Sequence, residues 1–419
     1  MFSTMTPCKE SACTASEPLS LIQRTGASLL ALVLALSLMG APSVAVAAVR
    51  PTDSINGQPY TELKLPARSM PDVTMKSGML VTQSGQILWS RDPDARRQIA
   101  SITKIMTAIL SIQMIDPDKK ITIPQFTLEP GDSTAGLRPG EVMTRHEILE
   151  ALLIPSGNDA AIALAVSCKG SVPSFVEAMN KKAGELGMKN THFVDPDGVM
   201  DTGPYSTATD IATMARYAMT LPEFREVVGI KEVKVVTNIA THDYKTTNDL
   251  LLMYNGANGV KTGFTDAAGY SVATGASRKG IQLYAIVLGT NNLAVRFTEA
   301  AALLDFGFTH YRTQTLALQG TILGRATVTD YLDRQVPVAL SRETTADVND
   351  LEGIVTRKVV IWDGKAPIKK GQQLGMVQFI QNNRLVVTTP LVATEQVNKP
   401  FFLARIWYAI VKGWRAISR

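Results

Sequence analysis

The chain has 419 residues, of which 45% are hydrophobic and 19% are charged. These proportions exclude a collagen-like, coiled-coil or wholly disordered chain, and the length suits about two domains. The net charge of +5 comes entirely from residues 399–419, which hold no acid and five cations: Lys399, Arg405, Lys412, Arg415 and Arg419. We therefore expect no nucleic-acid-binding face on the main body and a cationic surface at the C-terminal end.

The first 47 residues are typical of a secretory signal peptide. A 13-residue, largely apolar stretch, Ala27–Met39, follows Arg24, and Ala45-Val46-Ala47 matches an Ala-x-Ala cleavage site. The alternative is a membrane span, but the stretch is shorter than the roughly 20 residues that a span requires. We predict that residues 1–47 are removed on export. Only Cys168 of the three cysteines would then remain, so no intramolecular disulfide could form.

Residues 48–312 alternate between strand signals and helix signals. Apolar residues recur at helical spacing from Ser101 to Met114, and a capping box, Thr144–Glu147, opens another helix. Helices between groups of strands predict an α+β domain. The strand signals form two hairpins and one strand that precedes the second hairpin: Met79–Val81 with Gln86–Trp89, Gly269–Ala276 with Ile281–Gly289, and Val260–Phe264.

Past about Thr313 the helix signals give way to strand signals alone. Short β-rich runs, separated by Asp-Gly and Asn-Asn turns, predict an all-β domain over residues 313–395. These runs are Val336–Leu340, Lys358–Trp362, Leu374–Ile380 and Arg384–Val387.

Residues 399–419 predict an amphipathic helix. At 100° per residue, one side carries the apolar residues Leu403, Ile406, Trp407, Ile410, Val411, Trp414 and Ile417, and the cations cluster opposite them. Cations in the middle of the segment are inconsistent with a span, so we expect this helix to lie in the interface of an anionic membrane. The alternative is a helix that packs on its own protein.

Three short motifs each occur once, in the order Ser101-Ile102-Thr103-Lys104, Ser156-Gly157-Asn158 and Lys261-Thr262-Gly263. Any one of them alone is unremarkable, since a Ser-x-x-Lys arises by chance and the others are ordinary turn or strand-end sequences. Their order and structural contexts make them informative together.

The chemistry of these motifs is that of a serine nucleophile. Ser101 and Lys104 share one helix face, so the amine of Lys104 can reach the hydroxyl and act as its base. Burial and the nearby charge of Lys261 would favour the neutral amine that a base requires. Ser156 can relay a proton to a leaving amine, and Asn158 can orient Lys104 and hold a substrate amide.

The third motif suits the binding of a peptide carboxylate. On an edge strand, Lys261 and Thr262 would present donors to an anionic group, and Gly263 would let the substrate backbone pair alongside. No metal and no cofactor are expected, because no phosphate-binding glycine loop is present and the histidines are scattered: His146, His192, His242 and His310.

With these motifs the sequence resembles the serine penicillin-recognising enzymes, most closely the low-molecular-mass D-alanyl-D-alanine carboxypeptidases. Further matches are Pro155-Ser156-Gly157-Asn158-Asp159-Ala160, Ser206-Thr207-Ala208-Thr209-Asp210, and Gly259-Val260-Lys261-Thr262-Gly263 followed by Ala268-Gly269-Tyr270. The resemblance implies a β-lactamase/transpeptidase-like catalytic domain, then a small all-β domain and an amphipathic membrane tail.

The resemblance also implies the reaction. Ser101 would attack the penultimate carbonyl of peptidoglycan stem peptides that end in D-Ala-D-Ala, release D-alanine and be freed by water, during cell-wall biosynthesis and remodelling. β-Lactam antibiotics would inhibit covalently, and the enzyme would lie on the periplasmic face of the inner membrane. The backbone amides of Ser101 and Phe264 would form the oxyanion hole, and Arg296 would help to bind the terminal carboxylate. Family members often carry His where this chain has Phe264.

Three other functions remain open at this level. A class A β-lactamase would need a Glu-x-x-Leu-Asn sequence, which this chain lacks. A D,D-endopeptidase or transpeptidase would use the same motifs on another substrate or acceptor. A non-catalytic peptidoglycan-binding protein would not need Ser101, Lys104 and Lys261.

Overall fold

The computed structural model describes residues 49–417 apart from 64, 66–68, 127, 129–131 and 201. The expected signal peptide, residues 1–47, lies outside the described residues. Strands and helices alternate up to residue 310. The strands are β1 (Ser54–Ile55), β2 (Gln58–Pro59), β3 (Ser77–Thr82), β4 (Ile87–Arg91), β5 (Lys120–Thr122), β6 (Val142–Thr144), β7 (Glu232–Val236), β8 (Thr241–Lys245), β9 (Ala257–Gly263), β10 (Tyr270–Arg278) and β11 (Ile281–Thr290).

A 3-10 helix, Ala100–Thr103, leads directly into a largely buried helix, Lys104–Met114. The α-helices are α1 (Tyr60–Leu63), α2 (Lys104–Met114), α3 (Arg145–Leu153), α4 (Asn158–Lys169), α5 (Val172–Glu185), α6 (Ala208–Ala218), α7 (Pro222–Val227), α8 (Leu250–Met253) and α9 (Leu293–His310). The capping box predicted at Thr144 is present, with the Thr144 side chain accepting from the Glu147 amide. The α+β prediction is therefore confirmed.

A seven-stranded antiparallel sheet in the order β2-β1-β4-β3-β11-β10-β9 is the centre of this region. Alternate side chains of β11 enter two apolar cores because helices cover each face of the sheet. Leu283, Ala285 and Val287 pack with α9, whereas Tyr284, Ile286 and Leu288 pack with the helices from α2 to α7. As expected, β9 lies at the edge of the sheet.

Residues 311–393 form mainly β-structure, as predicted. A five-stranded antiparallel sheet has the order β13-β14-β18-β17-β16, and β12 pairs with β15. The strands are β12 (Tyr311–Ala317), β13 (Ile322–Thr327), β14 (Gln335–Leu340), β15 (Thr344–Asn349), β16 (Thr356–Ile361), β17 (Gln373–Gln381) and β18 (Arg384–Ala393). Their inward side chains form a separate apolar core. The domain boundary between residues 312 and 313 stays a prediction.

The last element is helix α10 (Phe402–Ile417). Apolar side chains on one side are exposed, among them Leu403, Trp407 and Trp414 at 77%, 61% and 75%. No single helix in the described part of the chain has both the length and the apolar character to cross a bilayer. Within the described residues, α4 and α5 meet the criteria of length and apolar character when they are taken together, as a pair bent by 86°.

Candidate active site

Ser101 and Lys104 lie one helical turn apart at the start of α2. Ser101 is the second residue of the 3-10 helix, and Lys104 is the first residue of α2. The Lys104 side chain is fully buried, and its Nζ donates to Ser101 Oγ at 2.9 Å. Burial lowers the pKa of Lys104 to about 8, although nearby carboxylates, Asp197 foremost, act in the opposite direction. A fraction of Lys104 is therefore neutral near pH 7.

Asn158 joins the first two motifs. Lys104 Nζ donates to Asn158 Oδ1 at 2.7 Å, and Asn158 begins helix α4. Ser156, two residues earlier, has a φ of 70°, a conformation that non-glycine residues rarely adopt. Such backbone strain persists where the surroundings fix it, and it is common at functional sites. The turn between α3 and α4 thus places Ser156 and Asn158 on the same cleft as Ser101.

The third motif ends strand β9 beside the serine. Gly263 lies so close to the start of the 3-10 helix that a Cβ there would be 2.7 Å from Ile99 O and 3.2 Å from Ile102 N. A side chain would push the strand away, so glycine is required for this approach. The Thr262 hydroxyl hydrogen-bonds with Thr247 Oγ1 at 2.7 Å.

Lys261 is the second buried lysine. Its Nζ donates to Thr262 O at 3.1 Å, and it is 1% exposed. Burial, together with the charges of Lys104 and Arg296, holds the pKa of Lys261 well below its usual value. An anion in the adjacent cleft would restore the charged form, since an opposite charge favours the ammonium ion.

The three motifs line one cleft of about 630 Å³. Arg296, from the first turn of α9, lies at this cleft and is only 5% exposed. Its Nη1 donates to Gly263 O at 3.4 Å, and its buried Nε has no hydrogen-bond partner among the described residues. Burial lowers the pKa of Arg296 to about 10. A largely desolvated guanidinium beside the cleft suits a carboxylate ligand.

Two features of the site were not found from the sequence. The third hydrogen bond of Lys104 Nζ goes to the backbone carbonyl of Asp197 at 2.9 Å. The Asp195 carboxylate holds this turn by accepting from the amides of Gly198 and Met200 at 2.6 and 2.8 Å. The Asp-Pro-Asp-Gly sequence at 195–198 is a turn signal, but it does not show that the turn meets Lys104.

The second feature is the segment at 134–137, which Asp159 holds against the start of α4. The buried Asp159 carboxylate accepts from Thr134 Oγ1 at 2.6 Å and from the amides of Ala135 and Leu137 at 3.0 and 2.9 Å. Ser133, just before this segment, accepts from the Asn158 amide at 2.9 Å and lines the cleft. In the sequence, the only indication that Asp159 belongs to the site is its position directly after the second motif.

A helix-borne serine, whose neighbour is a buried lysine rather than a histidine, faces an edge strand that carries a second lysine. With helices on each face of a largely antiparallel sheet, this arrangement defines the class of the serine penicillin-recognising enzymes.

Comparison with known proteins places the chain within that class. The family model described as D-alanyl-D-alanine carboxypeptidase matches residues 65–292, and the model of the penicillin-binding protein 5 C-terminal domain matches residues 311–399. The D-alanyl-D-alanine carboxypeptidase DacF of Bacillus subtilis is 32% identical over 341 residues, which are 78% of this chain and 87% of that protein. DacC of Escherichia coli is 30% identical over 80% of this chain and 88% of its own.

Solved structures agree with the sequence relatives. Penicillin-binding protein 5 of Haemophilus influenzae aligns with a TM-score of 0.59 at 27% identity, over 78% of this chain and 99% of that one. The DD-transpeptidase of Streptomyces K15 aligns with a TM-score of 0.55 at 32% identity, over 57% of this chain and 98% of that one. The chain belongs to the D-alanyl-D-alanine carboxypeptidase family. It is a serine-type carboxypeptidase, a hydrolase of cell-wall metabolism.

Proposed function

We propose that Ser101 is the nucleophile and Lys104 its general base in the removal of the last D-alanine from peptidoglycan stem peptides. Ser101 Oγ attacks the penultimate carbonyl and its proton passes to Lys104 Nζ. The C–N bond then breaks while Lys104 gives up this proton and the Ser156 hydroxyl relays it to the departing amine, and water then hydrolyses the acyl-enzyme. The observation that carries this proposal is the buried Lys104 Nζ, which lies within hydrogen-bond distance of Ser101 Oγ and Asn158 Oδ1.

The oxyanion of the tetrahedral intermediate would be bound by the backbone amides of Ser101 and Phe264. The contact between Gly263 and the 3-10 helix brings these two segments together. Fixed amide donors at this position stabilise the negative charge that develops during acyl transfer. Because backbone groups supply the donors, the Phe264 side chain is free to differ from the histidine of other family members.

The terminal carboxylate of the substrate would lie between Thr262 and Arg296, with the charge of Lys261 behind them. Thr262 and Arg296 line the cleft, and Arg296 brings a cationic guanidinium to it. β-Lactams carry a carboxylate near their reactive carbonyl and would occupy the same position, as covalent inhibitors.

An Arg296→Leu variant is expected to lower kcat/KM for a D-Ala-D-Ala peptide about 10- to 100-fold, the usual value of a hydrogen bond to a charged group. A peptide that ends in a C-terminal amide separates this role from a structural one. Wild type should discriminate strongly against the amide, whereas Arg296→Leu should not. Equal loss on both peptides would show that Arg296 does not bind the carboxylate.

Transpeptidation is a second candidate, because the Streptomyces K15 neighbour is described as a DD-transpeptidase. The same acyl-enzyme would then be attacked by an amine instead of water. Addition of D-amino acid or glycyl acceptors to the assay, followed by product analysis, separates the two activities.

We propose that helix α10 holds the exported enzyme on the periplasmic face of the inner membrane. Its exposed apolar side carries Leu403, Ile406, Trp407, Ile410 and Trp414. Tryptophans beside cations are typical of helices that lie in the membrane interface. This arrangement would place the cleft near the peptidoglycan that the enzyme trims.

The cationic side of α10 contacts the β-domain. Lys412 Nζ donates to Thr329 O, and Arg415 Nη1 lies 3.1 Å from Asp333 Oδ1. The Tyr408 and Tyr331 rings lie 5.9 Å apart. The helix thus contacts the β-domain with its cationic side and leaves its apolar side exposed.

A Trp407→Ser/Trp414→Ser double variant is expected to reduce co-sedimentation with anionic phospholipid vesicles by about tenfold or more, since apolar burial and charge attraction together determine interfacial binding. The matched control is Leu318→Ser/Ile354→Ser, which removes exposed apolar residues from the β-domain. Unchanged sedimentation of the tryptophan variant, or an equal loss in the control, would contradict the anchor. Deletion of residues 399–419 should release active enzyme in the same assay.

A further inference from the structure

The cleft has an aromatic and aliphatic wall, formed by Phe264, Tyr270 and Leu293, that the proposed chemistry does not use. The Phe264 ring stacks on the Tyr270 ring, with centroids 4.2 Å apart and an interplanar angle of 28°. Phe264 is 46% exposed, and Leu293, also at the cleft, is 49% exposed. Large apolar side chains that are half-exposed and grouped at a cleft commonly mark a surface for an apolar ligand group.

This wall is beside the position proposed for the terminal carboxylate. The Arg296 guanidinium carbon lies 5.7 Å from the Tyr270 ring centroid, and Arg296 Nη1 bonds the carbonyl of Gly263. The residue that leaves must connect the scissile carbonyl, held by the Phe264 amide, to the carboxylate, held by Arg296. Its Cα therefore passes beside residues 263 and 264, and its side chain comes near the Phe264 ring.

The methyl group of D-alanine is too small to cover this wall. A single methyl group can contact one ring edge, whereas Phe264, Tyr270 and Leu293 together present a much larger apolar area. A longer unbranched or branched aliphatic side chain would displace more water from it, and the free energy gained rises with the apolar area buried. A polar side chain of similar size would gain little and would lose its own hydration.

We propose that the wall formed by Phe264, Tyr270 and Leu293 selects the last residue of the substrate, so that the enzyme also removes larger apolar D-residues from stem peptides. The substrate class is a stem peptide ending in D-Ala-D-Met or D-Ala-D-Leu. This inference rests on the proposed function, since it takes the carboxylate position from Arg296. Phe264 acts as a specificity-determining residue and leaves the nucleophile and base unchanged.

The test uses the exported full-length enzyme and stem peptides that end in D-Ala-D-X, where X is Ala, Ser, Met or Leu. The measured quantity is kcat/KM for release of each free D-amino acid. Wild type should cleave the D-Met and D-Leu peptides at least as well as the D-Ala peptide, and the D-Ser peptide more poorly. In Phe264→Ser the ratio of D-Met to D-Ala should fall about tenfold, the lower range for one methylene in an apolar pocket.

Phe264→Tyr is the matched control because it keeps the ring and its stacking on Tyr270, and the ratio should be retained. If the ratio of kcat/KM for the D-Met peptide to that for the D-Ala peptide is the same in wild type and Phe264→Ser, the inference is overturned. Release of D-alanine would still support the proposed function in that case. A Phe264→Ser effect on penicillin acylation alone, with unchanged peptide ratios, would assign the wall to another part of the ligand and also overturn it. If wild type releases no D-amino acid from any of the peptides, the proposed function is wrong, and this inference is wrong with it.

Discussion

A Ser101→Ala variant is expected to lose covalent labelling by penicillin completely. The label is an ester between Ser101 Oγ and the opened β-lactam, and alanine has no atom that could form it. Hydrolysis of D-Ala-D-Ala peptides should fall by about 10³-fold or more, because removal of the nucleophile leaves only the contributions of binding and the oxyanion hole. Mass spectrometry of the wild-type adduct should locate the added mass on the peptide that contains Ser101.

Ser111→Ala is the matched control for this variant. Ser111 lies on the same helix α2 and is buried, but its hydroxyl donates only to Ala108 O at 2.9 Å, within that helix. Labelling and hydrolysis should be retained in the control. Persistent labelling of Ser101→Ala at another residue would assign the nucleophile elsewhere.

A Lys104→Met variant is expected to acylate about 10²- to 10⁴-fold more slowly, the usual contribution of a positioned proton acceptor. Methionine fills similar space but cannot accept the proton of Ser101. It leaves Asn158 Oδ1 and Asp197 O without the donor that they share, so the thermal unfolding temperature should be measured beside the rate. The matched control is Lys189→Met, which changes an exposed lysine.

The pH dependence of the acylation rate provides a second test of Lys104 as the base. A lysine with a purely structural role would not produce this dependence. Lys104 must be neutral to act as a base, and its pKa is lowered to about 8. The wild-type acylation rate should therefore rise about tenfold per pH unit below this value and level off above it. The small residual rate of Lys104→Met should lack this step. A pH profile in Lys104→Met that matches wild type would transfer the role of base to another group.

Local signals in the sequence predicted several of the elements that carry the site. The hairpin around Ser84-Gly85, the capping box at Thr144 and the edge strand of Lys261 are each encoded within a few residues, and each is present. The order of the three motifs also identified the family, because these residue types are required by one chemistry. Helices α5, α6, α7 and α9 were not predicted, although α6 begins within the matched segment at 206–210.

What the sequence could not show depends on contacts between distant segments. The third partner of Lys104 is a backbone carbonyl, so the residue type at Asp197 gives no indication of it. Gly198 is required because a Cβ there would lie 2.0 Å from Ala100 O, a contact across about 100 residues of chain. For α10, periodicity located the apolar side but could not show that Lys412 and Arg415 would contact the β-domain.

The most direct test of the central claim is the release of D-alanine from a pentapeptide that ends in D-Ala-D-Ala. The exported enzyme should release one D-alanine per peptide, and Ser101→Ala should release none above background. Release that is equal in the two proteins would contradict the assignment of Ser101, and no release by wild type, with penicillin still bound at Ser101, would contradict the carboxypeptidase activity.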